Sequence, residues 1–311
     1  MKRIGIVYGM ENSFPDAVID EINGREIADV RAESVKIGGV LMAQPSGYSV
    51  IVDRISHDIP FYRAWLKNEV LHGAAVINNP FWWSADDKFF HYALAAKLGV
   101  AVPPTVMLPH REHPAGTTSQ SMRNLIYPLN WDEIFDYIGF PAYLKPHLGG
   151  RFGPVFRVEN PEQFFSAYNS SGRTGMVLQA EVDHEKYFRC FVVGRERVRI
   201  MPFDPRRPHA ERYLGTAEDT DPEVLRRIEA DALLLCRALG YDFNTVEFAV
   251  AGGRAYAIDF LNPAPDADVN SIGREHFDWV VKAVADLAID RAHRPERERD
   301  GYLWSRFLRG E

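Results

Sequence analysis

Lys145 closes a β-type run (AYLKP) and is followed at once by HLGGRFG. A lysine at a strand end beside Gly149, Gly150 and Gly153 suits phosphate, because glycines let backbone N–H groups approach the oxygens and the ammonium adds a point charge. The order is not that of a Walker A loop, which places the lysine after the glycines at the start of a helix. Taken alone, the segment also fits a glycine turn beside an exposed lysine. A second group is acidic. Glu247 sits in NTVEFAV, and Asp259 and Asn262 in AIDFLNPAPD. Both carboxylates interrupt apolar β-type runs, where a charge needs a partner. Two strands of one hairpin would bring Glu247 near Asp259, with Asn262 just past the strand end. Like charges that close repel unless a cation lies between them, so Glu247→Gln is expected to leave metal-free stability unchanged or slightly raised. Carboxylate and amide oxygens, completed by phosphates, suit Mg²⁺. Two acids facing water on an edge hairpin is the alternative.

The elements that must position these groups are legible from periodicity. Arg3–Tyr8, VRAESVKI, YSVIVDRIS and Ala74–Asn78 read as strands, and FPDAVIDEIN and Phe61–His72 as helices. Strands alternating with helices predict a parallel, doubly wound α/β unit. Ser84–Gly99 reads as a helix with Ser84 as N-cap and Gly99 as its stop. VAVPPTVMLP is extended, and His110–Met122 is a polar loop in which His110 and His113 are solvated. Strand, glycine loop and strand follow through Pro141–Asn160, then a helix (PEQFFSAYNS) and long strands through MVLQAEV and YFRCFVVGRERVRIMPF. Pro222–Leu239 is an amphipathic helix. Phe243–Val250 and Ala255–Leu261 form a hairpin through Gly252-Gly253, and Phe277–Ile289 is a last helix.

The bulk composition bounds the function. The chain has 311 residues, 46% hydrophobic and 25% charged, the values of a soluble globular protein with a large core. A formal charge of −7 argues against general nucleic-acid binding, which requires a basic surface. No apolar run approaches the ~20 residues of a membrane helix. The start MKRIGIVYG has no long apolar core or cleavage site of a signal peptide. Cys190 and Cys236 lack metal-type or redox-type neighbours and read as buried small hydrophobes, consistent with a cytoplasmic protein.

In this order, DDKFFHYALAAKLGVAVPPT, FPAYLKPHLGGRFG, LQAEV with YFRCFVVG, and VEFAV with AIDFLNP resemble the ATP-grasp superfamily, and most closely RimK-like amino-acid ligases and the nucleotide-binding part of glutathione synthetase. The resemblance runs from about Ile77 to the last helix. It implies a small parallel-sheet pre-ATP-grasp domain over 1–80 and a two-lobed α+β ATP-grasp domain over 81–311, with ATP between the lobes. It implies ATP and Mg²⁺ (Mn²⁺ as a substitute) and formation of a C–N bond between a carboxylate and an amine, on an amino acid or peptide. Lys88 and Lys145 match the phosphate-contacting lysines, and Gly149, Gly150 and Gly153 the flap above them. Gln179, Ala180, Glu181 and Val182 match the linker whose backbone reads adenine, and Glu185 the ribose ligand. Arg189 matches the arginine of D-I-R-V-F-V-V-G that holds phosphate or the reacting carboxylate, with Tyr187 where that pattern has Asp. Arg199, on the next strand, is a second candidate for this role and for oxyanion stabilisation. Glu247, Asp259 and Asn262 match the metal ligands, although the second element here is Asp-x-x-Asn rather than Glu-x-Asn.

Other groups carry less. Phe81-Trp82-Trp83 fits packing between domains or an acceptor-site wall. Asp266 and Asp268 fit an amine site or solvent. Glu11, Asn12 and Ser13 fit a polar lining for the acceptor substrate. The turn GMENSFP lacks the G-x-G-x-x-G of a nicotinamide-binding domain. A small-molecule kinase and a nucleotide-binding regulator with little turnover are the competing readings. Monomer and homodimer are both left open.

Overall fold

The computed structural model describes residues 1–42, 44–81, 87–148, 154–208, 211–213, 217, 219–260 and 262–294. By contacts the chain forms two compact units. One comprises Met1–Ser84, Glu185–Ala255 and Asp259–Glu311, and the other Ala85–His184 with Tyr256–Ile258. This partition differs from a division by chain order at residue 80, since the N-terminal segment shares its unit with most of the C-terminal half.

The first unit opens on alternating elements: β1 (Lys2–Val7), α1 (Phe14–Gly24), β2 (Val30–Ser34), β3 (Tyr48–Asp53), α2 (Pro60–Leu71) and β4 (Ala75–Ile77). The strands form a parallel sheet in the order β2-β1-β3-β4, as the alternating pattern requires. Both faces are apolar. Ile4, Ile6, Val50 and Val52 meet Phe14, Val18 and Ile22 of α1 on one side. Val7, Ile51 and Val76 meet Trp65 and Leu66 of α2 on the other. Pro15 and Pro60 start their helices, where the missing N–H costs nothing.

The same unit holds β9 (Lys186–Val193), β10 (Arg197–Pro202), α6 (Pro222–Leu239), β11 (Phe243–Ala251), the short α7 (Val269–Ile272) and α8 (Arg274–His293). With β12 (Arg254–Asp259) the strands pair in the order β10-β9-β11-β12. Gly252 and Gly253, at φ 56° and 72°, make the β11–β12 turn, whose two left-handed positions suit glycine. The β9–β10 turn has Gly194 at φ 67° and Arg195 at φ 61°. Arg195 is held there by Asp242, with Nη2 3.1 Å from Oδ2. The register aligns Arg189 with Met201 and Glu247, and Phe191 with Arg199 and Thr245. Cross-strand partners share a face, so Arg189, Phe191, Val193, Arg199, Met201, Phe243, Thr245 and Glu247 lie on one side. That side is apolar toward α8, through Phe191, Val193 and Phe243, and polar at its other end.

The second unit contains α3 (Lys88–Lys97), β5 (Thr105–Leu108), a 3-10 helix (Ser119–Met122), α4 (Trp131–Ile138), β6 (Ala142–Pro146), β7 (Phe156–Val158), α5 (Pro161–Ser170) and β8 (Met176–Ala180). Its antiparallel sheet runs β5-β8-β6-β7. Leu108, Ala142, Leu144, Met176 and Leu178 pack on Phe164, Tyr168, Trp131 and Phe135 of α5 and α4. Alternation therefore turns Thr105, Tyr143, Lys145 and Gln179 to the opposite face. The N-cap of α3 is Asp87, whose Oδ1 accepts from Phe90 N at 2.9 Å; Ser84 lies outside the described residues. Gly99, at φ 80°, follows the last turn as expected. α4 has no counterpart in the sequence reading, although Asn130 caps it, Asp132 and Glu133 sit in its first turn and Gly139 ends it. Its eight residues are strongly amphipathic but shorter than the window over which a helical period is read.

Candidate active site

In the second unit, Lys145 is held in a defined position. Its Nζ donates to Tyr92 Oη and to Gln179 Oε1, each at 2.8 Å, and lies 5.1 Å from the Tyr92 ring centre. Gln179 is buried and its Nε2 donates to Thr105 Oγ1 at 2.8 Å, which fixes the carboxamide with its oxygen toward the lysine. Tyr92 Oη donates in turn to the Ile258 carbonyl at 2.8 Å. Lys88 precedes Tyr92 by one helical turn and shares its face. The Lys88 backbone N–H bonds the His147 carbonyl at 3.0 Å, so the start of α3 is fastened to the chain just past Lys145. Both lysines and the segment leading into the glycine loop therefore gather around one strand end. Gly149, Gly150 and Gly153 lie outside the described residues.

The linker departs from a free backbone edge. Ala180 N–H bonds the Pro104 carbonyl at 2.9 Å and Glu181 N–H the Pro141 carbonyl at 3.1 Å. Those amides belong to the sheet. The Glu181 carboxylate is gripped by Arg157, with Nη2 at 2.8 Å, and by Tyr143 Oη at 3.2 Å. Burial and the Glu181 charge raise the Tyr143 pKa.

The first unit carries the acidic group. Glu247 Oε2 accepts from Tyr187 Oη at 2.7 Å, and its Oε1 lies 3.7 Å from Arg189 Nε. Arg189 donates through Nη1 to Tyr213 Oη at 2.9 Å and through Nη2 to Thr245 Oγ1 at 3.2 Å. Asn262 Nδ2 donates to the same Thr245 oxygen at 3.0 Å, while its backbone N–H is held by Asn244 Oδ1 at 3.0 Å. The hydroxyl of Thr245 thus joins the arginine to the amide. Burial alone would lower the Arg189 pKa, but the charges of Glu247 and Asp266 and the Tyr213 hydrogen bond outweigh this and raise it. Burial likewise raises the Tyr213 phenol.

The carboxylate of Glu247 is therefore not bare. A largely buried arginine lies beside Glu247, because β9 and β11 are registered Arg189 to Glu247. Tyr187, which stands where the family pattern has Asp, is tied to the same carboxylate. Asp259 ends β12 with its side chain exposed. Among the described residues no three His, Cys, Asp or Glu side chains cluster as a metal site, so an ion here would need Asn262 and phosphate oxygens to complete its shell. Arg199 is engaged elsewhere: its Nε bonds His276 Nδ1 at 3.1 Å and its Nη2 pairs with Glu275, both on α8. Glu185 Oε1 accepts from Gly252 N at 3.2 Å, so this exposed acid leans on the hairpin turn. Cys190 and Cys236 are buried as expected, and burial pushes the Cys236 thiol up to about 12.

Several supporting contacts were not visible in the sequence. Arg54, with a fully buried side chain, pairs with Glu11 and donates to the Pro265 carbonyl at 2.6 Å. Ser13 Oγ donates to Asp268 Oδ2 at 2.7 Å, which holds that carboxyl below its ordinary pKa. The turn after β1 is thereby fastened to the Pro263–Asp268 loop. Asn78 is the central clamp. Its Nδ2 donates to the carbonyls of Phe243 (2.7 Å) and Pro263 (3.0 Å), and its Oδ1 accepts from Asp242 N (2.6 Å) and Phe243 N (2.8 Å). The Asn-Asn pair that closes the apolar run AAVINN was the signal the sequence offered.

No family model matches the chain, and no curated protein does. Solved structures do. The D-alanine–D-alanine ligase of Bacillus anthracis is similar at TM-score 0.67 and 16% identity, over 96% of this chain and 100% of that one. A RimK-domain ATP-grasp protein of Sphaerobacter thermophilus is similar at TM-score 0.66 and 17% identity, over 92% and 99%. The ATP-grasp ligase PsnB, complexed with a minimal precursor, Mg and ADP, is similar at TM-score 0.60 and 12% identity, over 94% and 98%. At these identities the likeness is one of fold, and the chain has the ATP-grasp fold.

Proposed function

We propose that this chain is an ATP- and Mg²⁺-dependent carboxylate–amine ligase that works through an acyl phosphate, with an amino acid or peptide as substrate. The observation that carries this reading is the joining of Arg189 to Glu247 and, through Thr245, to Asn262, a largely buried cation among three oxygen-bearing side chains. Glu247, Asp259 and Asn262 offer hard oxygen donors, too few to enclose an ion and suited to one shared with phosphates. When bound there, Mg²⁺ would offset phosphate charge during transfer. Lys88 and Lys145 are the phosphate-binding cations in this proposal, and Gly149, Gly150 and Gly153 the flap. The Glu181 carbonyl and Val182 read the adenine edge, between Gln179, which positions Lys145, and Glu185, the ribose ligand.

In the reaction a carboxylate oxygen of the substrate attacks the γ-phosphorus in line, and the bond to ADP breaks. The amine then attacks the acyl carbon, loses a proton, and phosphate leaves as the amide forms. Arg189 stabilises the tetrahedral oxyanion, because its guanidinium is held in advance by Tyr213 and Thr245. Arg199 is not given this task, since α8 already holds it. The deciding experiment is ADP release by the purified protein against pools of amino acids and peptides, with mass spectrometry of the products. An amide formed in step with ADP supports the ligase. ADP with a stable phosphorylated product, and no amide, would make the protein a kinase instead.

A further inference from the structure

The segment between β5 and α4, expected as a solvated loop, is organised and walls a cavity. Thr118 and Ser121 form a capping box around the 3-10 helix. Glu112 N–H bonds the Gly172 carbonyl at 2.9 Å, and Tyr168 Oη bonds the Pro109 carbonyl at 2.7 Å, so the loop is fastened to the end of α5. The cavity beneath measures about 620 Å³, within the roughly 300–1,000 Å³ of small-molecule sites. One wall is aromatic, built from Tyr127, Trp131, Phe165 and Tyr168. The lining also carries Arg111 and Arg123, the rings of His110 and His113, and Glu112 as its one acid. Arg111 Nε is fixed by Asn169 Oδ1 at 2.6 Å, and Arg123 Nε by the Gln120 carbonyl at 3.3 Å, so both guanidiniums are oriented. Glu112 is itself 4.0 Å from Arg173, which offsets its charge. The His110 and His147 rings meet edge to face at 6.5 Å. Gly175 permits this, because a Cβ there would lie 2.6 Å from His147 Nδ1 and 3.4 Å from His110 Nε2.

We propose that this cavity is a second ligand site, for a small aromatic molecule bearing an anionic group. Flat aromatic rings suit stacking, and oriented guanidiniums in the same lining suit a carboxylate, sulfonate or phosphate. The site is separate from the lysine cluster. Trp131, Phe165 and Tyr168 belong to the helices that cover the Leu144 face of the sheet, whereas Lys145 and Gln179 point from the opposite face.

The test is titration of the full chain with anilinonaphthalene sulfonate, an aromatic anion, followed by energy transfer from tryptophan. Its uncharged counterpart, phenylnaphthylamine, is the control. One sulfonate probe should bind per chain, more tightly than the neutral probe, and ATP with Mg²⁺ should not displace it. The double variant Arg111→Gln/Arg123→Gln, shown to be folded by circular dichroism, should bind it about tenfold more weakly or worse, as the loss of two oriented charges requires. Displacement by ATP would place the probe in the nucleotide site and overturn the proposal. So would equal binding of the neutral probe, or unchanged affinity in the double variant.

Discussion

Lys145 illustrates how a side chain proposed to bind phosphate is prepared. A flexible ammonium would lose rotamer freedom on binding. Here Tyr92 and Gln179 already hold it at 2.8 Å each. Lys145→Ala should therefore weaken ATP by about ten- to a hundredfold, the loss of a charge-assisted contact of ~1.5–3 kcal/mol. Calorimetric titration measures this, and unchanged affinity in a folded variant would remove Lys145 from the site. Glu247 makes a sharper case. Its neighbour Arg189 is only 12% exposed, so removing the negative charge strands a largely buried cation. Glu247→Gln keeps the Tyr187 hydrogen bond yet should destabilise the protein by about 1–2 kcal/mol, while Mg²⁺-dependent ADP release falls by orders of magnitude. A variant that melts at or above the parent temperature would show that Arg189 gains nothing from this pair.

Elements are tied to one another by buried polar side chains. Asn78 satisfies two carbonyls and two N–H groups at the start of β11 and in the loop after β12. Asn78→Ala leaves the buried Asp242 and Phe243 amides without their acceptor, at ~1–3 kcal/mol for each. A fall of several degrees in melting temperature is the expected readout, together with faster hydrogen exchange at those two amides. Asp286 on α8 bridges Arg25 of α1 at 2.5 Å and Arg197 of β10 at 2.6 Å. Burial alone would raise its pKa, but the hydrogen bonds from the two arginines prevail and hold it below the usual carboxylate range. A depressed folded-state pKa means stability present above the unfolded value and lost as pH falls through the folded one. Asp286→Asn should thus cost less than ~1 kcal/mol near neutrality, because the pair is partly exposed. The gap between variant and parent should close as the pH is lowered through the folded-state value. A gap that persists in acid would assign the effect to packing rather than charge.

At the scale of the molecule, one unit is nearly continuous and the other is assembled from distant segments. All four strands of the sheet β5-β8-β6-β7, with α3, α4 and α5, lie between residues 85 and 184. Their core of Leu108, Leu144, Phe164 and Leu178 closes within that stretch. A fragment spanning 85–184 should consequently fold and unfold cooperatively. It should be less stable than in the full chain, since the Tyr92–Ile258 and Ala257–Ala101 hydrogen bonds are lost. Absence of a thermal transition in the fragment would show that Tyr256–Ile258 is essential to this core. The first unit has no such fragment, because α8 completes a core begun by β1 and α1.

Local pattern was enough for much of the scaffold. The apolar runs of β1, β3 and β4, the bounds of α6 at Pro222 and Leu239 and the Gly252-Gly253 hairpin all follow from periodicity and from residues with special backbone freedom. Those signals act over a few residues, so sequence alone carries them. The surroundings of the candidate site are of another kind. Tyr187 and Glu247 meet 60 positions apart, and which residue faces which is set by the β9–β11 register. That register depends on burying Phe191, Val193 and Phe243 against α8. The same holds for the grip of Tyr92 on Lys145 and for the cavity beside α4, whose walls come from a loop and two helices. Side-chain types announced that charges near these strands needed partners; only the packing of distant segments decided which partners they received.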